Sequence, residues 1–148
     1  MLKLSRLTDY GTVVLAHMAR QPAERHRASD LALATKLGEA TVRKLLKLLV
    51  RGGIVVSQRG AGGGYSLARP PERINAVEVI DALEGPVALT ECSGEHHSCE
   101  HERSCALNHN WQQINHAVRD ALRAITLAQL ARPGSTTAPL RFHPTARR

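Results

Sequence analysis

Outside one segment of fifteen residues, this sequence of 148 residues contains no cysteine, and it has no long run of apolar residues. A helix that spans a membrane needs about eighteen or more such residues, so the sequence predicts no membrane contact and, by default, a cytoplasmic location. Aromatic residues make up only 3% of the chain, although hydrophobic residues make up 43%. The apolar side chains are therefore mostly aliphatic, which favours helices packed in one domain.

Acidic residues are scarce at both ends of the chain. Residues 1–74 contain thirteen Lys and Arg against five Asp and Glu, a net charge of +8, and the last seventeen residues add four arginines and no acid. Residues 75–131 contain three basic residues and eight acids, a net charge of −5. A basic module beside an acidic stretch indicates a ligand with a phosphate backbone, although a merely solvated basic surface has the same composition.

Three helical patterns fill the basic half, the first of them in residues 4–20. The second begins at Ser29, a residue suited to cap a helix, and ends before Gly38. Because the third, in residues 39–53, follows this glycine directly and is apolar on one side and basic on another, the pair predicts a helix-turn-helix. The apolar face of the third helix has Val42, Leu45, Leu46 and Leu49, and its other faces have Thr41, Arg43, Lys44 and Lys47.

Two short strand-like runs, residues 54–58 and 65–69, follow and are joined by RGAGGG. They predict a hairpin with a glycine-rich tip that carries Arg59, so the order of elements is that of a winged helix. Glycines let such a tip approach a sugar–phosphate backbone, and an arginine there can enter the minor groove of duplex DNA. A nucleotide-binding P-loop would need a Gly-Lys-Ser/Thr ending and a following helix, and this segment has neither.

The rest of the chain predicts two more helices in a fold of mainly α class. A short one lies between Asn75 and Gly85, and an apolar stripe in residues 108–132 predicts one long helix of about 35 Å. A long helix after a DNA-binding module is typical of a dimerisation element, although it can also pack on its own domain. We therefore expect a winged helix-turn-helix in 1–74, a metal-binding loop and dimerisation helix in 75–131, and a disordered basic tail in 132–148.

All three cysteines lie in ECSGEHHSCEHERSC, with six residues between the first two and five between the last two. An odd number of thiols in a reducing compartment argues against disulfides. The close Cys-x-x-Cys spacing of most structural zinc sites is absent, but three thiolates with one outside ligand suit either an iron–sulfur cluster or zinc. Unliganded redox thiols remain a further possibility, whereas nothing in the sequence orients a nucleophile and base for a thiol-dependent enzyme.

Three motifs carry a resemblance to a known family: LTDYG near the start, RGAGGGYSLAR in the wing, and the cysteines before ALNHNW. Together they resemble the winged-helix iron–sulfur regulators of the IscR and NsrR family, most of all the branch that controls the SUF operon for cluster assembly. The resemblance covers residues 1–131. It implies a homodimer that binds an operator in double-stranded DNA, with no small-molecule substrate, and whose DNA affinity depends on a cluster.

The resemblance also implies roles for single residues. The fourth ligand of the cluster stays open between Asp9, in the Thr-Asp-Tyr motif of the first helix, and His109, one place beyond the position where IscR has a histidine. The other implied ligands, for a 2Fe–2S cluster in each subunit, are Cys92, Cys99 and Cys105. The implied DNA contacts are Thr41, Arg43 and Lys44 in the third helix and Arg59 in the wing.

We therefore expect a transcriptional regulator, not an enzyme, that senses iron–sulfur status or redox and nitrosative stress and controls cluster-assembly genes. One alternative is a winged-helix repressor in which zinc only shapes the loop. The other is a thiol-dependent enzyme.

Overall fold

A computed structural model of the chain describes residues 4–90 and 107–132. The bounds of its helices and strands are α1 Arg6–Arg20, α2 Ala28–Thr35, α3 Glu39–Arg51, β1 Val55–Gln58, β2 Gly64–Leu67, a 3-10 turn at Pro71–Arg73, α4 Ala76–Glu84, α5 Asn108–Arg123 and α6 Leu127–Leu130. This order confirms the mainly helical fold with a winged helix-turn-helix that the sequence predicts. None of the described helices is long and apolar enough to span a membrane.

One apolar core joins helices from the basic and the acidic parts of the chain. The face of α3 that the sequence predicts to be apolar is fully buried in it, and Val14, Leu15 and Met18 of α1 pack on the same core. Leu83 of α4 and Leu127 of α6 belong to this core as well. Helix α1 therefore packs directly against α4 and α6, and α3 packs against α4. The predicted division at residue 74, into a DNA-binding part and a part for metal binding and dimerisation, concerns the roles of the two parts and stays a prediction.

The start of α2 differs from the prediction. The helix begins at Ala28 after Arg27, and Ser29 does not cap it but donates its hydroxyl to Oδ1 of Asp30 at 3.3 Å. The cause lies in the preceding residue, because the N–H and C=O of His26 form two backbone hydrogen bonds with Tyr65, each of 2.8 Å. This pairing keeps the chain extended up to Arg27, and the helix starts immediately after it.

The predicted wing is confirmed as an antiparallel pair, with Val55 opposite Leu67 and Gln58 opposite Gly64. The linker between α1 and α2 runs along the outer edge of β2 through His26. A Cβ atom added at Gly64 would lie 2.9 Å from the carbonyl oxygen of His26, so this close approach requires a glycine. The base of the wing is therefore held by the linker as well as by its own ladder.

The C-terminal helix is shorter than predicted. α5 ends at Arg123 after about 24 Å, and a break at residues 124–126 separates it from α6. The break arises because Leu127 donates its N–H to the carbonyl of Ile74 at 2.7 Å, while Ala76 donates to that of Ile125 at 2.9 Å. These bonds draw the chain back onto the N-terminal region and bury Leu127 completely. The prediction of one helix over residues 108–132 was wrong. The predicted dimerisation helix corresponds to α5 alone, and its role stays a prediction.

Candidate nucleic-acid interface

Three arginines from different elements line one polar cleft. Arg27 precedes α2, Arg43 lies on α3 and Arg59 lies at the wing tip, and the cleft that they share has a volume of about 450 Å³. The sequence predicts Arg43 and Arg59 as DNA contacts, and the fold brings them together. The other residues that line the cleft are Ala28, Ser29, Ser57, Gln58, Gly64 and Tyr65.

The cleft carries a net positive charge, because among the described residues a carboxylate pairs with only one of its three arginines. Arg43 donates from Nε and Nη2 to Oε1 of Glu39, at 2.9 and 2.6 Å. The two side chains are 65% and 45% exposed, so water screens their attraction. Within residues 4–90 and 107–132, Arg27 and Arg59 have no carboxylate at ion-pair distance. Two uncompensated guanidinium groups therefore line the cleft, which suits a ligand that carries phosphates.

The wing tip is held in place by its own backbone and by one outside side chain. Arg25 of the linker donates from Nη1 to the carbonyl oxygen of Gly62 at 3.3 Å. Gly60 and Gly62 have φ angles of 103° and 80°, which residues with a side chain rarely adopt. A Cβ atom at Gly63 would lie 2.3 Å from the carbonyl oxygen of Gln58, so the tip folds too tightly for any larger residue there. Arg59 is thus displayed on a turn of defined shape.

The other two predicted DNA contacts, Thr41 and Lys44, lie on α3 outside the residues that line the cleft. Lys44 is exposed and Thr41 is half-buried. Arg27 and Ser29 also line the cleft and were not predicted as DNA contacts. Their signal was the basic run in residues 25–27, but only the pairing of this linker with β2 brings it to the wing and to α3.

The predicted cluster ligands Cys92, Cys99 and Cys105, like the tail in residues 133–148, lie outside the described residues. The two candidate fourth ligands are described. Asp9 is exposed on α1 and lines an apolar groove of about 690 Å³ that α1, α4 and residues 122–130 share. His109 is exposed in the first turn of α5, with its Nε2 atom 2.9 Å from Nε2 of Gln113. Among the residues described, no three His, Cys, Asp or Glu side chains are grouped to hold a metal.

A family model described as Rrf2, iron-dependent transcriptional regulator, matches residues 4–133. The chain belongs to the Rrf2 family. The match spans the helix-turn-helix, the wing, the cysteine segment and α5. Relatives in this family are named as transcriptional regulators, which at the level of the family supports a role other than catalysis.

Other Rrf2 relatives confirm the fold. The structure of CymR, the global cysteine regulator of B. subtilis, matches with a TM-score of 0.67 and 30% identity, over 88% of this chain and 97% of that one. IscR of T. potens matches with a TM-score of 0.63 and 27% identity, over 87% of this chain and 85% of that one. An HTH-type transcriptional regulator of Neisseria meningitidis is 37% identical over 89 residues, which is 60% of each protein and less than two thirds of that relative. The resemblance inferred from the sequence is confirmed at the level of the family. By sequence identity and TM-score, CymR is as similar to this chain as IscR is.

Proposed function

We propose that this Rrf2-family protein is a homodimeric regulator that binds operator DNA, and that an iron–sulfur cluster in its cysteine segment controls its DNA affinity. The observation that carries the DNA-binding part is the cleft in which Arg27, Arg43 and Arg59 meet. A basic concave surface that joins a helix-turn-helix to a wing suits a duplex, because the phosphates of DNA supply the negative charge that the arginines attract.

In this proposal α3 enters the major groove and the wing tip follows the adjacent minor groove. Arg43 and Lys44 contact base edges or phosphates from α3, with Thr41 beside them. Arg59 enters the minor groove, where the negative potential is strongest if the groove is narrow. Arg27 faces the phosphates that lie between the two grooves.

The replacement Arg59→Ala tests this assignment, with Arg20→Ala as a control that removes one exposed arginine outside the cleft. We expect Arg59→Ala to raise the operator Kd by about tenfold and to reduce the magnitude of the negative slope of log K against log salt by about one, because one cation leaves the interface. The control should leave both quantities close to those of the wild type. An unchanged Kd for Arg59→Ala in titrations by fluorescence anisotropy would remove the wing from the interface.

The homodimer is proposed from the exposed apolar side chains of α5 and of the residue before it. Leu107, Trp111 and Ile114 are 57%, 39% and 45% exposed in the single chain. Large apolar side chains on one helix are typical of a surface that a second copy covers. A two-fold dimer also places two recognition helices on one face of a duplex.

For the cluster, Cys92, Cys99 and Cys105 supply three thiolates, and Asp9 or His109 supplies the fourth ligand. This donor set fits a cluster, because iron–sulfur centres take thiolates and accept a ligand other than cysteine. The carboxylate of Asp9 and the imidazole of His109 are both exposed, which leaves each open to a group outside its own helix. When bound, the cluster supplies a link that oxidants or iron loss can break. Zinc bound by the same residues is the alternative.

Protein purified without oxygen decides between these two cofactors. We expect iron and acid-labile sulfide in about equal amounts, with visible absorption that Cys92→Ala removes and that only one of Asp9→Ala and His109→Ala alters. Zinc alone in a colourless protein would contradict the sensing part and leave the DNA-binding part standing. Equal operator affinity of the loaded and the cluster-free protein would also contradict it.

The genes under control belong, in this proposal, to a SUF-type cluster-assembly operon. A cysteine-responsive regulator is a second candidate, because the structure of CymR is as similar as that of IscR. Sequencing of the genomic fragments that the purified protein retains separates the two. Fragments from cysteine-metabolism promoters, in place of cluster-assembly promoters, would favour the second candidate.

A further inference from the structure

One ion pair joins α4 to α5, the helix that follows the cysteine segment, and also holds the backbone of the loop that precedes this segment. Arg119 of α5 donates from Nη2 to Oδ2 of Asp81 at 2.8 Å and from Nη1 to Oδ1 at 3.3 Å. Oδ1 of Asp81 also accepts the N–H of Val87 at 2.9 Å, and Nη1 of Arg119 reaches the carbonyl oxygen of Val87 at 3.4 Å. A single carboxylate and a single guanidinium thus hold α4, α5 and the backbone of Val87 together.

This contact is better shielded from water than the other ion pairs on the described helices. The side chains of Arg119 and Asp81 are 15% and 28% exposed, whereas those of Arg123 and Asp120, the neighbouring pair on α5, are 50% and 70% exposed. Shielding from water strengthens the attraction, and the two hydrogen bonds between the guanidinium and the carboxylate restrict its geometry. We call Asp81, Val87 and Arg119 the clasp.

Helix α4, which contains Asp81 of the clasp, also contacts the recognition helix α3. Ala82, next to Asp81, packs so closely on Gly52 at the end of α3 that a Cβ atom at Gly52 would lie 2.4 Å from the Cβ of Ala82. Three residues after Asp81, Glu84 accepts the N–H of Ser5 at 2.8 Å and the hydroxyl of Thr8 at the start of α1. A displacement of α4 therefore reaches α3 and α1 directly.

We propose that Asp81 and Arg119 are positioning residues that anchor the chain before the cysteine segment and pass changes in that segment through α4 to the recognition helix. This inference rests on the proposed function, since it assumes that the segment responds to a cofactor. The simpler role for the pair is to hold α4 against α5. The two roles differ in one respect, because only anchoring depends on the hydrogen bond to Val87.

Replacements at Asp81 separate the two roles in the full-length protein. Asp81→Ala removes both the ion pair and the acceptor for Val87, whereas Asp81→Asn weakens the ion pair but keeps an oxygen for the N–H of Val87. Asp120→Asn is the matched control, because it breaks an ion pair on the same helix that does not touch Val87. Two quantities are measured: hydrogen exchange in residues 86–90 of the cluster-free protein, which contain Val87, and the ratio of operator Kd between cluster-free and loaded protein.

We expect Asp81→Ala to raise exchange in residues 86–90 by about tenfold, the effect of losing one hydrogen bond to a charged group, and to bring the Kd ratio several-fold closer to one. Asp81→Asn should show the smaller change in both, and Asp120→Asn none. The anchoring role would be overturned if the backbone amides around Val87 exchanged at the same rate in Asp81→Ala and in Asp120→Asn. The link to DNA would be overturned if exchange rose but the Kd ratio stayed at its wild-type value.

The same samples distinguish a failure of the clasp from a failure of the proposed function. If wild-type protein carries no iron, or binds its operator equally with and without it, the sensing proposal fails. Faster exchange in Asp81→Ala would even then support the clasp as the anchor of the segment, and unchanged exchange would overturn it.

Discussion

At the scale of single residues, Glu84 ties the end of α4 to the start of α1. Its hydrogen bonds with the hydroxyl of Thr8 and with Ser5 lower the pKa of its carboxyl below the usual value of 4.5. These bonds favour the ionised form, and the same carboxyl in the unfolded chain has no such partners. As the pH falls towards 4.5, the carboxyl of Glu84 is therefore protonated less in the folded protein than in the unfolded chain.

The sign of the pH effect follows from this lowered pKa. The contribution of Glu84 to stability is fully present above about pH 4.5 and is lost as the pH falls through the lower folded-state value. We expect the wild type to be more stable than Glu84→Gln at pH 6 and the difference to shrink towards pH 3.5. Urea denaturation across this range measures it, with Glu72→Gln as an exposed control outside this contact. A difference that grew on acidification would contradict the assignment.

Gly52 is required for the closeness of a contact and not for its φ angle, which is −77°. Because Ala82 occupies the space of a side chain, Gly52→Ala should lower the free energy of unfolding by about 1–3 kcal/mol. Gly38→Ser provides the comparison, since the nearest atom to a Cβ there is Oγ1 of Thr41 at 3.8 Å. Chemical denaturation of both variants tests this prediction. If Gly52→Ala were as stable as Gly38→Ser, the contact between Gly52 and Ala82 would not contribute to the packing of α3 on α4.

At the scale of elements, α3 and the wing follow from local sequence, whereas the end of α5 does not. The apolar spacing in α3 is strict, and all four residues of its predicted face are fully buried. The stripe in residues 108–132 also has helical spacing, but spacing carries no information about where the chain must turn back. Hydrogen bonds of residues 125–127 with Ile74 and Ala76 end α5, and these partners are distant in sequence.

The position of α6 makes a prediction at this scale. Leu127→Ala should lower the free energy of unfolding by about 2–5 kcal/mol, because Leu127 is fully buried in the core with α1. Leu130→Ala, at a position that is 40% exposed, should have a much smaller effect. Thermal and chemical denaturation measure the free energy of unfolding of both variants. Equal losses of stability in Leu127→Ala and Leu130→Ala would contradict the packing of α6 in the core of the DNA-binding region.

At the scale of the whole molecule, the exposed apolar side chains of α5 predict a dimer. Ile114→Glu places a charge in that surface and should convert a dimer to a monomer at micromolar concentration, because an unpaired buried charge is costly. Gln113→Glu adds the same charge at the neighbouring exposed position and should leave the dimer intact. Sedimentation velocity measures both. A dimer that persists in Ile114→Glu would place the interface on another surface.

The class of fold, the buried face of α3 and the wing with Arg59 could be predicted from the sequence alone, whereas the three cysteines as metal ligands stay a prediction. These features depend on spacing and on residue type, which are local properties of the chain. The candidate site was predicted only in part, since Arg43 and Arg59 were found and Arg27 was missed.

Which distant residues come into contact depends on the tertiary structure. Arg27 reaches the cleft because residue 26 pairs with β2, and α5 ends because residue 127 bonds to residue 74. The clasp likewise joins Asp81 to Arg119 across 38 positions of sequence. Contacts of this kind depend on how helices pack around a shared core, and no periodicity within one helix encodes the identity of its distant partner.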